Sequence, residues 1–286
     1  MTSSQSPIAR VHFERNQRTR DDWDAFSTHR QHVTGIIANT ASRSHRRLCL
    51  LGVGNGNDVD LEVLASHFDE IALVDLDDAA IRQCVGGLSA AAARRVTPHG
   101  HIDLSYILSD LDLLRAEPSS AQQTLDSLVV KARDLPRQID LGCWDVVVST
   151  CLLSQLIDSV FIAVGPSHPR AAELALAVRD GHLAQLDALV DDGGKMLLIT
   201  DFVSSDTLPE LQQVAADSLQ SLVHQAVANR NFFTGLNPAV LRQRMQNGHL
   251  LPKVYPAWRW IMGPRCFAVC AIEAVGGKTQ RSNIAG

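Results

Sequence analysis

The sequence predicts an α/β protein in three layers, with a mostly parallel sheet and helices on both of its faces. Short apolar runs alternate with amphipathic segments over most of the 286 residues, which is the pattern of repeated βα units. The first run is followed by a tight glycine turn. Two further runs near the C-terminus, separated by Gly263-Pro264, are typical of a hairpin. We therefore expect the sheet to end in antiparallel strands.

The composition is that of a globular protein with a sizeable core. Hydrophobic residues make up 45% of the chain and charged residues 20%. The net charge of −5 disfavours a general polyanion binder, so there is no strong nucleic-acid signal. No apolar run approaches the roughly 20 residues of a membrane span, and the N-terminus lacks a secretory h-region. We expect a soluble, cytoplasmic protein, either a monomer or a homodimer.

Cysteine and histidine spacing gives no metal site. None of the six cysteines forms a CxxC pair, which indicates reduced, intracellular usage. Cys266 and Cys270 share one face of a predicted strand but are too far apart for a bridge. We expect no bound metal.

Hydrophobic periodicity divides the chain into four segments. They are a flexible tail (residues 1–19), a helical segment (20–46), the core domain (47–275) and a second flexible tail (276–286). Helices are predicted in the second segment because apolar residues recur there at helical spacing.

The core opens with strand, glycine turn, helix and strand. The run LCLL begins at Leu48 and meets glycines at 52, 54 and 56, and the run IALV ends at Asp75. A carboxylate that follows a strand 23 positions after the first glycine is typical of a nucleotide-binding βαβ unit.

The rest of the core alternates in the same way. We predict a helix from Asp77-Asp78 to about Arg95, broken at residues 97–100, and a third strand from Ile102 to Leu108 that runs into Ser109-Asp110. The remaining predictions, in chain order, are a peripheral helix (117–134), a buried strand (144–150), a helix (169–189), a strand (195–201), two helical segments (207–229 and 237–246) and the closing hairpin.

This arrangement resembles the class I S-adenosylmethionine-dependent methyltransferases. The resemblance is carried by LLGVGNGND, LVDLD, a strand ending in SD, WDVVVSTCLLSQL, DGGKMLLITDF and WRWIMGPRCFAVCAIEA. It implies a Rossmann-like methyltransferase fold with a seven-stranded sheet and an antiparallel C-terminal hairpin. It also implies methyl transfer from S-adenosylmethionine to a small-molecule acceptor, by in-line displacement, with S-adenosylhomocysteine as product.

The resemblance also implies a set of cofactor-binding residues. Glycines of the turn would wrap the methionine part, Asp75 would accept hydrogen bonds from the ribose, and Asp110 would accept from the adenine amino group. The full set is Gly52, Val53, Gly54, Asn55, Gly56, Asp75, Leu76, Asp110, Leu111, Thr150, Cys151 and Gln155. One departure is Leu50, where the family often has an acid.

Candidates for a proton acceptor are histidines outside this set. The resemblance implies that the helical segment 20–46 folds over the site as a lid. His29 and His32 lie on this N-terminal helical lid, and His168 lies in the loop after the fourth-strand region. Surface histidines on an amphipathic helix are the commoner arrangement. We expect Asp58 to cap the helix after the glycine turn, and Trp258 and Trp260 to pack against the sheet.

Three other functions remain open. A dinucleotide-dependent oxidoreductase would want GxGxxG, whereas Asn57 stands at the last position. An aminopropyl transferase would require a carboxylate-rich polyamine site that is not obvious. A non-catalytic module that binds S-adenosylmethionine is the third.

Overall fold

The structure is a computed structural model that describes residues 6–116, 121–134, 139–246 and 250–277. The strands are β1 (Arg47–Leu51), β2 (Glu70–Val74), β3 (Val96–His99), β4 (Trp144–Thr150), β5 (Val190–Ser204), β6 (Lys253–Val254), β7 (Trp258–Met262) and β8 (Arg265–Val275). Among these residues, no helix is long and apolar enough to cross a membrane.

Helices connect and cover the strands. They are α1 (Pro7–Arg18), α2 (Ser27–Ala38), α3 (Leu61–His67), α4 (Asp78–Gly86), α5 (Ala90–Ala93), α6 (Leu108–Ala116), α7 (Ala121–Asp134), α8 (Leu153–Val164), α9 (Ala171–Leu189), α10 (Leu219–Ala228) and α11 (Pro238–Arg244). A short 3₁₀ helix covers Pro209–Gln212.

The strands form a single mixed sheet. Its order is β3-β2-β1-β4-β5-β8-β6, with β7 also paired to β8. The first five strands pair in parallel, and β8 runs antiparallel to β5. The predicted mostly parallel sheet with an antiparallel C-terminal end is confirmed.

The last position of the sheet is divided between two strands. Both β6 and β7 pair antiparallel with β8, and because β5 occupies one edge of β8, they share the other edge. Pro256 lies between them and cannot donate a ladder hydrogen bond. The predicted seven positions are therefore filled by eight strands.

Apolar side chains pack on both faces. One face of the sheet packs against α9 through residues such as Leu51, Val147 and Leu186. The other face carries Leu50 and Val148, and packs against α2 through Val33 and Ile37. Because parallel strands are covered on both faces, their sequences are almost continuously apolar.

The third strand is not where the sequence predicts it. The residues expected to break a helix, 97–100, lie mostly in β3 (Val96–His99), and the expected strand 102–108 is a loop that leads into α6. Pro98 is tolerated because β3 is an edge strand. The alternation of Ile102, Leu104 and Tyr106 wrongly indicated a strand. These residues form a loop because Asp103 accepts hydrogen bonds from Ser105 N and Leu108 N, across 2.8 and 2.9 Å.

Three further predictions are corrected. The predicted helix from residue 78 to 95 is divided into α4 and α5, because Ser89 begins a new helix by accepting a hydrogen bond from Ala92 N. The expected N-terminal tail contains α1, in which Ile8 and Ala9 are fully buried. The helical segment predicted over 207–229 is also divided, into the 3₁₀ helix Pro209–Gln212 and α10 (Leu219–Ala228). Residues 1–5, 117–120 and 278–286 lie outside the described part of the chain.

Candidate functional site

The glycine turn after β1 has a backbone that other residues rarely adopt. Gly52 and Gly54 have φ angles of +79° and +50°, in the left-handed region that glycine enters without a steric penalty. A Cβ on Gly52 would lie 2.6 Å from the Cβ of Leu152. A Cβ on Gly54 would lie 2.9 Å from Oδ1 of Asn16. The turn therefore brings the backbone close to two neighbouring elements.

Asp75 ties this turn to the end of β2. Its Oδ2 accepts a hydrogen bond from Gly54 N, and its Oδ1 accepts one from Asp77 N, both across 2.8 Å. Burial raises the pKa of Asp75 to about 6, although the two backbone donors and Leu76 N act in the opposite direction. At neutral pH the carboxylate is ionised and aimed along the cleft described next.

A cleft lies at the carboxyl ends of β1 and β2. It encloses about 60 Å³, less than the roughly 300–1,000 Å³ typical of small-molecule pockets. Its lining residues come from the glycine turn, the end of β2, the loop after β3, and helices α1 and α8. They are His12, Phe13, Asn16, Gly52, Gly54, Asp75, Leu76, Asp77, Ile102, Asp103, Leu104, Ser105, Leu108, Leu152, Gln155, Leu156 and Ser159.

Helix α1 forms the roof of the cleft. Asn16 Nδ2 donates to Asp77 Oδ2 across 3.0 Å, and Arg15 forms an ion pair of 2.5 Å with Asp158. Asn55 Nδ2 donates to the carbonyl of Asn16 across 2.6 Å. These are polar contacts at the rim, so α1 is held by a few hydrogen bonds and ion pairs as well as by its short apolar face.

His12 is the histidine that faces the cleft. Its Nε2 lies 2.7 Å from Ser159 Oγ. Because that hydroxyl donates to the carbonyl of Gln155, Ser159 can only accept from the imidazole, which assigns the proton to Nε2. Burial and the nearby Arg15 lower the pKa of His12 to about 4, so the ring is neutral at pH 7. Nothing in the sequence pattern singled out this histidine, because α1 was expected to be a tail.

The structure places part of the predicted cofactor set around the cleft. Gly52, Gly54, Asp75, Leu76 and Gln155 line it. Other members of the set do not line the cleft and instead support the glycine turn. Thr150 Oγ1 donates to the carbonyls of Leu51 and Gly52, whereas Val53 and Gly56 are buried beneath the turn.

Asp110 and Leu111 are not at the end of a strand, so the positional basis for their predicted role is wrong. Both lie on α6, where Leu111 is fully buried and Asp110 forms an ion pair of 2.5 Å with Lys131. The acid that follows β3 and lines the cleft is Asp103. Asx-turn chemistry is the sequence signal that identifies this loop: an Asp two residues before a Ser and five before a helix start.

His29 lies behind the cleft, buried between α2 and β7. Its ring stacks on Trp260 with centroids 4.4 Å apart, and its Nδ1 accepts from Trp258 Nε1 across 3.0 Å. An indole N–H can only donate, so the lone pair of His29 is occupied and Nε2 carries the proton. This arrangement provides no free base, and α2 packs on the sheet instead of covering the cleft.

The Nε2 side of His29 faces a buried polar cluster near the ends of β4 and β5. Asp58 Oδ1 lies 3.2 Å and Cys151 Sγ 3.9 Å from this nitrogen. Burial, with the nearby Asp58 and Asp201, raises the pKa of the Cys151 thiol well above its usual value, so it is not a thiolate nucleophile. Asp201 accepts from Ser154 Oγ across 2.6 Å, and burial raises its pKa.

Several other predictions have a plain structural outcome. His32 is exposed and stacks on Trp258, and His168 Nδ1 accepts from Arg170 N; neither histidine lines the cleft.

The helix after the glycine turn is capped by Asp60, not by Asp58. Trp258 and Trp260 are buried against the sheet, as predicted. Within the described residues, no group of three His, Cys, Asp or Glu side chains is arranged to hold a metal ion.

Solved structures similar to this chain include methyltransferases of several kinds. An O-methyltransferase family protein from Burkholderia thailandensis is 16% identical, with a TM-score of 0.46 over 94% of this chain and 63% of the other. The N-methyltransferase NodS from Bradyrhizobium japonicum is 9% identical, with a TM-score of 0.41 over 91% and 99%. An rRNA methylase from Streptococcus thermophilus is 9% identical, with a TM-score of 0.38 over 84% and 93%. No family model and no curated protein matches the sequence.

The strand order decides the fold. A simple dinucleotide-binding domain continues its parallel sheet beyond the fifth strand, whereas here an antiparallel strand, β8, follows β5. The fold is that of the class I methyltransferases. In this methyltransferase fold, the cleft lies over the glycine turn, at the carboxyl ends of β1 and β2.

Proposed function

We propose that the protein transfers the methyl group of S-adenosylmethionine to a small-molecule acceptor. The observation that carries the proposal is the position of Asp75. Its carboxylate lies at the end of β2, bonded to the glycine turn and lining the same cleft. A carboxylate in this position presents acceptors to a ribose diol.

The residue types around the cleft suit an adenosyl ligand, and α1 would have to move outwards to admit one, since the cleft encloses about 60 Å³. Gly52 and Gly54 leave the turn without side chains, where a Cβ would meet a neighbouring element. Asp75 would accept from the ribose hydroxyls, and Leu76 and Leu152 supply apolar surface for a purine. Asp103 would stand on the adenine side, the role that the sequence assigned to Asp110.

The chain's own contribution to the reaction is to bind, align and exclude water. When bound, S-adenosylmethionine supplies an electrophilic methyl group for in-line displacement by the acceptor. Because the reaction requires a nucleophile held close and in line with that group, α1 would exclude water from above while Thr150 fixes the backbone of the glycine turn.

A small acceptor is favoured over a polyanion by the charge of the cleft. Its lining residues include three carboxylates, Asp75, Asp77 and Asp103, and no lysine or arginine. Phosphate groups would be repelled by this lining, since phosphate recognition in proteins relies on cationic side chains and backbone donors. The roof formed by α1 also leaves little room for a macromolecule to reach the glycine turn.

Ligand binding and turnover test the proposal in two steps. S-adenosylmethionine and S-adenosylhomocysteine are expected to raise the melting temperature, whereas NADH and NADPH are not. Asp75→Ala should remove this effect, and Asp192→Ala, which changes an exposed acid of the β5 turn, should retain it. Stabilisation by a nicotinamide cofactor alone would sink the proposal.

The second step separates an enzyme from a binding module. Incubation with S-adenosylmethionine and a panel of small oxygen, nitrogen and sulfur nucleophiles should release S-adenosylhomocysteine with at least one of them. Binding without release across the whole panel would favour the non-catalytic module.

A further inference from the structure

A chain of polar side chains runs through the interior from Ser149 on β4, through α9, to Tyr106 in the loop after β3. Ser149 Oγ lies 2.8 Å from His182 Nε2, and His182 Nδ1 lies 3.2 Å from Gln185 Oε1. Gln185 Nε2 then donates to the hydroxyl of Tyr106 across 2.9 Å. Ser149, His182 and Gln185 are buried, and Tyr106 is half-buried.

The proton positions along this chain follow from the donors available. The amide of Gln185 donates to Tyr106, so its oxygen faces His182 and accepts from Nδ1–H. His182 Nε2 is then the lone-pair nitrogen and accepts the hydroxyl proton of Ser149. The imidazole is neutral, in agreement with burial, which lowers the pKa of His182 to about 4. Every buried polar atom of His182 is therefore used.

The chain ends beside two backbone positions that side chains rarely occupy. Tyr106 has a φ of +60°, and Cys151, two residues after Ser149, has a φ of +49°. Such conformations carry strain and persist only when their surroundings hold them in place. Tyr106 ends the loop that carries Asp103, Leu104 and Ser105 into the cleft, and Cys151 precedes Leu152 on the opposite wall.

A catalytic role for these side chains is excluded by their burial. Ser149 is 0% and His182 2% exposed, so neither reaches a substrate. Their common property is that they connect α9 and β4 to the loop after β3.

We propose that His182 is a positioning residue, which holds the loop of Asp103, Leu104 and Ser105 against the β4 wall through Gln185 and the Tyr106 hydroxyl. The effect on ligand affinity rests on the proposed function, but the effect on the loop itself does not. The neutral imidazole suits this task because it donates on one side and accepts on the other, which joins a hydroxyl to a carboxamide.

The loop is tested first, without any ligand. Tyr106→Phe removes one hydroxyl and keeps the ring, and Tyr255→Phe is the matched control, since the hydroxyl of Tyr255 donates to Glu273 at the far end of the sheet. We expect amide hydrogen exchange of residues 102–108 to become about fivefold faster in Tyr106→Phe and in His182→Gln, and to be unchanged in Tyr255→Phe. Unchanged exchange in either of the first two variants would overturn the proposal.

Ring nitrogen signals supply a spectroscopic readout. In ¹⁵N-histidine spectra, we expect His182 to show a protonated Nδ1 and an unprotonated Nε2 at pH 6, and the Nδ1 resonance to shift in Tyr106→Phe through Gln185. The opposite tautomer would contradict the assigned direction of the chain.

Affinity is tested last, with S-adenosylhomocysteine as the probe. Tyr106→Phe and His182→Gln should each raise its Kd by about five- to tenfold, with kcat for any acceptor nearly unchanged. A lower melting temperature with an unchanged Kd would show a structural role only and overturn the proposal. Absence of binding by the unaltered protein would contradict the proposed function, while the exchange result still decides the role of His182.

Discussion

Gly54 donates its backbone N–H to Asp75 Oδ2 across 2.8 Å. This bond joins the turn after β1 to the end of β2, so the acid and the glycines act as one structural unit. The same carboxylate has a pKa raised to about 6 by burial. Ligand binding should therefore depend on the protonation of a single group.

Affinity for S-adenosylhomocysteine is expected to fall as the pH is lowered through 6. The ionised carboxylate accepts hydrogen bonds from a diol, and the protonated form loses acceptor capacity. With a pKa of about 6, the ionised fraction and the affinity fall about tenfold between pH 7 and pH 5. Calorimetric titration measures this. Asp75→Asn should bind weakly with little pH dependence, and an equal pH dependence in that variant would assign the effect to another group.

Substitution of Gly52 should destabilise the fold through both backbone strain and contact. Gly52→Ala combines a left-handed φ with a Cβ 2.6 Å from Leu152, whereas Gly142, with a φ of +67°, has no atom within 4 Å of an added Cβ. Gly142→Ala should cost about 1–2 kcal/mol, and Gly52→Ala about 1–3 kcal/mol more from overpacking. Urea unfolding measures both; equal losses would mean that Leu152 simply moves aside.

The contacts of α1 should control how long a ligand stays in the cleft. Arg15→Ala and Asn16→Ala each remove one tie between α1 and the rim, to Asp158 and Asp77. We expect the dissociation rate of S-adenosylhomocysteine to rise several-fold to about tenfold, with a smaller change in association. Stopped-flow measurements test this, with Gln17→Ala, on the exposed side of α1, as the control. Equal rates in all of these proteins would show that α1 does not gate the cleft.

Burial of His182 should make the protein sensitive to acid. Its pKa is 6.5 when unfolded and about 4 when folded, so between these values the unfolded state binds a proton that the folded state does not. The free energy of unfolding therefore falls as the pH drops from 6.5 towards 4, by about 3 kcal/mol from this group.

The His182→Gln variant isolates this contribution. Two other groups change the free energy of unfolding in the same pH window. As the pH drops, the raised pKa of Asp75 increases this free energy, and the lowered pKa of His12 decreases it. Both groups remain in the variant. Its unfolding between pH 6.5 and 4 should take up about one proton fewer than that of the unaltered protein. The pH dependence of urea unfolding gives this number, and identical slopes would contradict the folded-state pKa.

Sequence patterns were informative where local and tertiary preferences agree. The runs of β1, β2 and β4 are buried on both faces, so their apolar continuity is visible without any knowledge of neighbours. The glycine turn and Asp75 are contiguous with those runs. Their meeting at one cleft follows from the parallel pairing of β1 with β2.

Patterns failed in two situations: where two local signals competed, and where a segment depends on contacts with distant residues. Residues 102–108 alternate like a strand, but the hydrogen bonds of Asp103 make them a loop. Asp110, which was expected at the end of a strand, therefore lies on a helix and does not line the cleft. Helix α1 is short and mostly polar, so it lacks the periodicity that predicts a helix. It is stabilised by contacts with distant residues such as Asp112 and Ser159.

The sequence alone determined the positions of β1, β2 and β4, the glycine turn and the acid at the end of β2, because each depends on residues that are close together in the chain. Only the tertiary structure decided which histidine faces the cleft, which acid follows the third strand and how Ser149 connects to Tyr106. His12 and Ser159 are 147 positions apart, and Ser149 connects to Tyr106 through hydrogen bonds that span 33 and 79 positions; bonds over such separations form only after the sheet has brought the elements together. The acid after the third strand was identified only when the pairing of β2 with β3 showed where that strand lies.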